Sequence, residues 1–280
     1  MYPRNFKLIW PSSLEEAFEA VEAGAVPLAG GQSLIPMMKL RLIAPESMVY
    51  LGVMRDLDYI KELKDKFAIG ALATHSRIAS ELREGSPLIS KAASEIGDVQ
   101  VRNMGTIGGS VAHADPAADY PAALIALGAV IRAVSKKGVR EIPAERFFTG
   151  PYQTALDHGE LVMEVVVPKT ARSVGYAKFT RIATDFAIAA VAVRLSARGG
   201  VIEDISIGVS GVFAYPIRAR WIEEALIGKK LTDEVLSRAI GAEVGHEVIS
   251  DPRASREFRL KAFRAMAKRA ILEAYENSEV

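Results

Sequence analysis

Cysteine is absent from all 280 residues. The chain therefore cannot build a disulfide, a thiolate zinc site, a cysteine-ligated iron–sulfur cluster or a cysteinyl flavin linkage. Its four histidines, His75, His113, His158 and His246, show no ligand-like spacing, so no metal site is expected. Asparagine and glutamine occur three times each, a shortage that points to a thermophilic source. The formal net charge is +1 and no long basic block occurs, so charge gives no argument for nucleic acid or an acidic membrane surface. No signal-peptide pattern and no apolar run of membrane-spanning length are present, and a cytoplasmic location is expected. Half of the residues are hydrophobic, enough for one large or two smaller domains. Neither G-x-G-x-x-G nor G-x-x-x-x-G-K-[ST] is found, which argues against the usual nucleotide folds.

Two glycine-rich stretches are present. The longer, Val101 to Asp119, carries Gly105, Gly108 and Gly109 with two hydroxyl residues and two carboxylates. Glycine lets the main chain come close to a ligand, and successive N–H groups in such a loop suit phosphate oxygens. The shorter, Ala29-Gly30-Gly31-Gln32-Ser33-Leu34, follows the apolar run from Val26 and reads as strand, turn and helix start, with Ser33 as N-cap. A helix start offers unpaired donors to an anion. Two such cradles in one domain could hold the two phosphates of a dinucleotide. A turn before a helix is the plainer reading of either one alone.

Three motifs, taken in order, carry a family resemblance. Ala29-Gly-Gly-Gln-Ser-Leu-Ile-Pro-Met-Met-Lys-Leu-Arg41, Arg102-Asn-Met-Gly-Thr-Ile-Gly-Gly-Ser110 and Ala114-Asp-Pro-Ala-Ala-Asp119 resemble the FAD-binding medium subunit of molybdenum hydroxylases. The medium chains of aerobic carbon monoxide dehydrogenase and of archaeal glyceraldehyde (aldehyde) oxidoreductase are the most similar, from Tyr2 to about Ala274. The resemblance implies an α+β fold. A two-lobed FAD-binding domain of the vanillyl-alcohol-oxidase (PCMH-like) type would cover residues 1–170, with sublobes of about 1–53 and 54–170. A C-terminal domain of three-stranded antiparallel sheet plus helices would cover 171–280.

The same resemblance implies FAD as cofactor and no catalytic residue on this chain. Ala29, Gly30, Gly31, Gln32, Ser33 and Leu34 would lie against one part of the diphosphate, mostly through main-chain N–H groups. Thr106, Gly108, Gly109 and Ser110 would take the other side. Asp119 would accept from a ribose or ribityl hydroxyl, although helix N-terminal charge explains it equally from sequence. Ile96, Gly97 and Leu161 match positions beside the flavin, and Lys178 would place a cation near its pyrimidine ring. Arg181, Asp185 and Phe186 belong to the same pattern, and Tyr152 and Phe186 could border the ring. His75 is assigned to a helix-start turn, His113 to the phosphate-side loop and Asp115 to capping.

Because the chain has no cluster ligands, the resemblance also implies two partners, in a heterotrimer or its dimer. One is a small [2Fe-2S] subunit and the other a large molybdopterin subunit. Electrons would reach an external acceptor through FAD here. A stand-alone FAD-dependent oxidoreductase and a non-enzymatic nucleotide-binding assembly module remain the alternatives.

Element by element, a strand over 5–9 precedes a helix over 14–23 with the capping-box pair Ser13 and Glu16. Strands are expected near 26–29, 48–51, 59–63 and 67–71, and helices from Ser76 to Leu82 and from Pro87 to Ile96. A helix capped by Asp115 should run to Leu127, unless Pro121 moves its start to Asp119. A hairpin turns at Lys136-Lys137-Gly138, and a strand follows over 161–167. The best boundary is Lys169 to Ser173. Beyond it, three strands (176–181, 186–198, 201–211) turn at Gly199-Gly200, and helices are expected over 217–227, from Thr232 towards Ile249, and over 256–275.

Overall fold

A computed structural model describes residues 2–170, 173–242 and 244–278. The chain opens with β1 (Lys7–Ile9), α1 (Leu14–Glu22), β2 (Val26–Leu28), α2 (Leu34–Lys39) and β3 (Ser47–Tyr50). These strands form a parallel sheet in the order β1-β3-β2. Ser13 caps α1 by accepting from the Glu16 N–H at 3.2 Å. Glu16 reaches back to the main-chain N–H and hydroxyl of Ser12 rather than to Ser13, a capping box displaced by one residue. Gly24, at φ +92°, then ends the helix as expected.

The second sheet is antiparallel. It contains β4 (Ile60–Glu62), β5 (Lys66–Gly70), β6 (Val130–Ser135), β7 (Gly138–Pro143) and β10 (Leu161–Pro168), in the order β4-β5-β10-β6-β7. Between β5 and β6 come α3 (His75–Glu81), α4 (Pro87–Ser94), α5 (Val99–Met104), α6 (Ile107–His113) and α7 (Asp119–Leu127). A short α8 (Ala144–Phe147) and the small ribbon β8 (Phe148–Gly150) and β9 (Gln153–Thr154) lead into β10. Every residue of α7 is buried. Beyond Asp119 and Tyr120 the helix is apolar on every side and needs cover all round; α7 obtains it from α4 and the second sheet on one side and the C-terminal sheet on the other.

That last sheet is a meander of β11 (Val174–Phe179), β12 (Ala189–Arg198) and β13 (Val201–Ser210), with β14 (Ile217–Arg218) added at its edge. Helices α9 (Arg220–Leu226), α10 (Asp233–Gly241) and α11 (Arg256–Glu276) complete it. Gly208 on β13 sits where a Cβ would strike the Ala122 carbonyl of α7, so its missing side chain lets helix and sheet touch. The turn at Gly199-Gly200 has φ of +56° and +78°, the two-residue hairpin expected.

The α+β class agrees with expectation; several details do not. The stretch Val101–Asp119 is not one loop, because α5 and α6 occupy most of it. Helix α7 starts at Asp119, and Asp115 caps nothing helical; it accepts from the Ala117 N–H at 2.8 Å in a local turn. Thr74, not Ser76, caps α3. The C-terminal sheet has a fourth, two-residue strand, since Ile217 and Arg218 pair with β13 before α9 begins. Helix α10 stops at Gly241, short of Ile249. Glu243 in that expected helix, and Ala171 and Arg172 in the expected boundary, lie outside the described residues.

Candidate functional site

A cavity of about 570 Å³ opens between the first sheet and the helices that follow β5. Its wall brings together Ala29, Gly30, Gly31, Gln32, Ser33, Leu34, Ile96, Gly97, Thr106, Gly108, Gly109, Ser110, Asp119 and Leu161. The two glycine stretches touch: a Cβ on Gly30 would fall inside the Met104 carbonyl and 2.8 Å from the Gly105 Cα.

The first loop is open. β2 ends at Leu28, Gly31 turns the chain at φ +72°, and the Gln32 amide donates to the Gly30 carbonyl at 3.0 Å. Among the described residues, the main-chain N–H groups of Gly30, Gly31, Gln32, Ser33 and Leu34 donate to no group of the chain. Ser33 occupies the N-cap position of α2 but makes no capping hydrogen bond, contrary to expectation. Five successive donors and one hydroxyl thus remain for a ligand.

The second loop is closed on itself. Thr106 caps α6 by accepting from the Gly109 N–H at 3.2 Å. The Ile107 N–H donates to the Ala73 carbonyl, the Gly108 N–H to the Ala71 carbonyl and the Ser110 N–H to the Thr106 carbonyl, at 3.1, 2.9 and 3.0 Å. The second stretch therefore differs from the first: the donors at the start of α6 already have partners. Gly108 is a packing residue, since a Cβ there would meet the Ala71 Cβ at 2.5 Å. Gly109 is exposed on the cavity side, and its Cβ would meet only Thr106 Oγ1 at 3.0 Å and the Ala29 Cβ at 3.8 Å. This loop contributes close approach at Gly109 and the Ser110 hydroxyl.

Arg102, within the quoted motif but not singled out, holds the far wall. Its guanidinium donates to the Ile96 and Gly97 carbonyls at 2.9 and 2.7 Å, fixing Gly97 at φ +45°. The pairing is local, five and six residues apart, but arginine-to-carbonyl bonding leaves no residue pattern to read in the sequence.

Asp119 and Lys178 are partners of each other. The Lys178 ammonium lies 2.9 Å from Asp119 Oδ1 and also donates to the Glu95 carbonyl at 3.0 Å. The Tyr176 hydroxyl donates to Asp119 Oδ1 at 2.6 Å. Both charged side chains are about 95% hidden, at 5% and 4% exposure. Burial pushes the Asp119 carboxyl up to about 6 against the opposing pull of Lys178 and Tyr176. Asp119 reaches the cavity wall while Lys178 stands behind it, so Lys178 is neither a solvated strand lysine nor part of the wall. The pair ties α7 to β11.

Residues Thr184, Asp185 and Phe186 complete the rim, and Phe186 is half-exposed there. His113 lines the wall with its ring 5.3 Å from that of the exposed Tyr152. His75 also lines it, at the first position of α3, with burial and the Arg102 charge lowering its pKa to about 4. No group of residues suited to a metal ion occurs among the described residues, and no described helix is long and apolar enough to cross a membrane.

An open glycine turn at a strand end beside a cofactor-sized cavity suits a chain that holds a nucleotide cofactor. Comparison with known proteins makes this specific. Residues 4–170 match the family described as FAD binding domain in molybdopterin dehydrogenase, and residues 175–274 match the CO dehydrogenase flavoprotein C-terminal domain. The glyceraldehyde dehydrogenase medium chain of Sulfolobus acidocaldarius is 39% identical, across 98% of this chain and 99% of its own. The carbon monoxide dehydrogenase medium chain of Afipia carboxidovorans is 38% identical, across 97% of each. A solved carbon monoxide dehydrogenase from Hydrogenophaga pseudoflava superposes with a TM-score of 0.95 at 35% identity, across 99% of both chains. The chain belongs to the FAD-binding medium chains of carbon monoxide dehydrogenase and aldehyde dehydrogenase-type molybdenum hydroxylases, and it is an oxidoreductase subunit whose cofactor is FAD.

Proposed function

We propose that FAD lies in the 570 Å³ cavity with its diphosphate against the open glycine loop, and that this chain is the last internal station of a molybdenum hydroxylase. The single observation that carries the site assignment is the run of five unpartnered N–H groups from Gly30 to Leu34, set against a Cβ-free edge at Gly109. The cavity volume lies within the range of cofactor pockets, roughly 300–1,000 Å³. Residues and group fit each other: donors without partners face an anion, and the wall beyond them is largely apolar.

The bound flavin would supply redox chemistry, able to take electrons singly from a partner's iron–sulfur clusters and to pass them to an external acceptor. The chain's own residues bind and orient. Gly30 to Leu34 offer donors to the diphosphate, and the Ser33 and Ser110 hydroxyls add two more groups. Ile96 and Gly97, held by Arg102, and Leu161 shape the apolar wall. Asp119 presents a carboxylate whose position Tyr176 and Lys178 fix, suited to a ribose or ribityl hydroxyl. With residues 1–170 as the FAD-binding domain (sublobes about 1–53 and 54–170) and 171–280 as the C-terminal domain, this pair would bridge the two.

The partners in this proposal are a small [2Fe-2S] subunit and a large molybdopterin subunit in a heterotrimer or its dimer, because a chain without cysteine cannot ligate such clusters. Substrate oxidation would then occur on the large subunit, in the cytoplasm. Co-purification from the native source tests this. Recovery of iron–sulfur and molybdopterin subunits with the chain is expected; a chain that turns over a substrate alone would replace the proposal with a stand-alone oxidoreductase.

A further inference from the structure

The Tyr120 hydroxyl is completely buried on α7, and its partner is Nδ1 of His75 at 3.0 Å. The two rings meet edge-on with centroids 5.3 Å apart. Among the described residues the hydroxyl has no other partner. This decides where the protons sit. If Nδ1 carried hydrogen and donated to the tyrosine oxygen, the tyrosine O–H would be left buried with no acceptor. If the tyrosine donates to Nδ1, the fully buried hydroxyl is satisfied, and the imidazole proton resides on Nε2, the ring nitrogen without a partner among the described residues. The low pKa of His75 keeps the ring uncharged at neutral pH.

The ring is held elsewhere too. The His75 main-chain N–H donates to the Gly105 carbonyl at 3.1 Å. The Ser76 hydroxyl donates to the Asn103 side-chain carbonyl, locking α3 to α5. Gly105 covers the ring so closely that a Cβ there would lie 2.6 Å from Nε2. No group of the described chain accepts from Nε2, and His75 is part of the cavity wall at the point where Gly30 meets Gly105.

We infer that Tyr120 fixes His75 as a neutral imidazole whose Nε2–H donates a hydrogen bond to bound FAD, at an acceptor atom close to the junction of the two glycine loops. His75 is thus a cofactor-orienting donor, and Tyr120 is the positioning residue behind it. The inference rests on the reading that FAD occupies this cavity. A neutral donor suits the place because Arg102 already supplies positive charge nearby.

The test uses the full chain stripped of flavin, with ¹⁵N-labelled histidine and FAD titration. Two-bond ¹H–¹⁵N spectra at pH 7, assigned with His75→Gln, should show His75 as the Nε2–H tautomer, and its Nε2 signal should shift when FAD is added. His75→Leu should weaken FAD binding about tenfold, the upper range for one neutral hydrogen bond. His75→Gln, which can place an amide N–H near the Nε2 position, should recover most of that loss. Tyr120→Phe should give mixed tautomers and a smaller loss of affinity. A His75 resonance showing the Nδ1–H tautomer would overturn the inference whatever the affinity data show. So would undiminished FAD affinity in folded His75→Leu, with wild-type chain still binding FAD. A wild-type chain that takes up no FAD would overturn the cavity assignment and the inference together.

Discussion

The two glycine loops share a composition but differ in what their backbones do. Between Gly30 and Leu34 five N–H groups have no partner among the described residues, whereas from Ile107 to Ser110 all four are used internally. The difference comes from what lies behind each loop. The first loop leaves a parallel strand and enters a short helix with its cap unmade, so its donors face outward. The second is pinned by the Ala71 and Ala73 carbonyls and by the Thr106 cap, so its glycines serve approach and packing. A glycine-rich motif therefore need not be an anion cradle; its unpaired donors decide.

The largest expected effect is at Asp119, whose carboxylate lies on the cavity wall that both loops line. Asp119→Ala leaves the Lys178 ammonium buried without its counter-charge, and stability should fall by about 3–5 kcal/mol, read by denaturant unfolding. In protein that still folds, FAD should bind about 1–3 kcal/mol more weakly by titration, the value of a charged hydrogen bond. An unchanged affinity would confine Asp119 to its structural pairing.

Next in size are the glycines. Gly30→Ala drives a methyl into the Met104 carbonyl and should both lower the melting temperature and empty the site, an overpacking effect of roughly 1–3 kcal/mol or more. Gly31→Val adds about 1–2 kcal/mol of left-handed backbone strain at φ +72° and should abolish FAD retention. Gly109→Val should spare the fold and still abolish FAD retention, while Gly108→Ala, pressed on Ala71, should harm the fold first. Normal flavin content in both folded Gly31→Val and folded Gly109→Val would contradict the diphosphate assignment.

The pH response separates two buried groups at the same wall. Between about pH 4 and 6.5 the unfolded chain binds a proton at His75 that the folded chain excludes, so His75 adds stability as pH rises. Between 3.8 and about 6 the folded chain keeps a proton on Asp119 that the unfolded chain has released, so Asp119 removes stability as pH rises. The two contributions oppose each other over nearly the same window. His75→Gln should therefore lose about 3 kcal/mol relative to wild type on going from pH 4 to 7, measured by denaturant melts.

The smallest pair is the most discriminating. Thr106→Ala removes a working cap and should cost about 0.5–2 kcal/mol of stability. Ser33→Ala removes a hydroxyl that caps nothing, so stability should hold while FAD binding weakens by about 0.5–1.5 kcal/mol. The opposite pattern would reverse the roles of the loops.

Much of the fold was legible because its signals are local. Ser13 and Ser255 cap the helices they precede, and Gly24 and the Gly199-Gly200 turn take the positive φ that their positions demand. Asp115-Pro116 misled because the same side-chain geometry that caps a helix also closes a three-residue turn, and buried packing of α7 set its start at Asp119. The candidate wall was legible as a set of residues, fourteen of the fifteen meeting in one cavity, with Lys178 one hydrogen bond behind. Arg102 and His75 were not: Arg102 acts on main-chain carbonyls, which any residue carries and no motif marks, and His75 acts through a hydroxyl 45 residues away.

Sequence alone settled that no cysteine-ligated centre can reside here, since that depends only on which side chains exist, and it located the glycine turns and helix starts, since those depend on neighbours a few residues apart. Tertiary structure decided which N–H groups stay free, which proton His75 carries and that Asp119 finds Lys178. Those outcomes depend on burial and on partners from other elements, and no single segment contains both halves of such a pair.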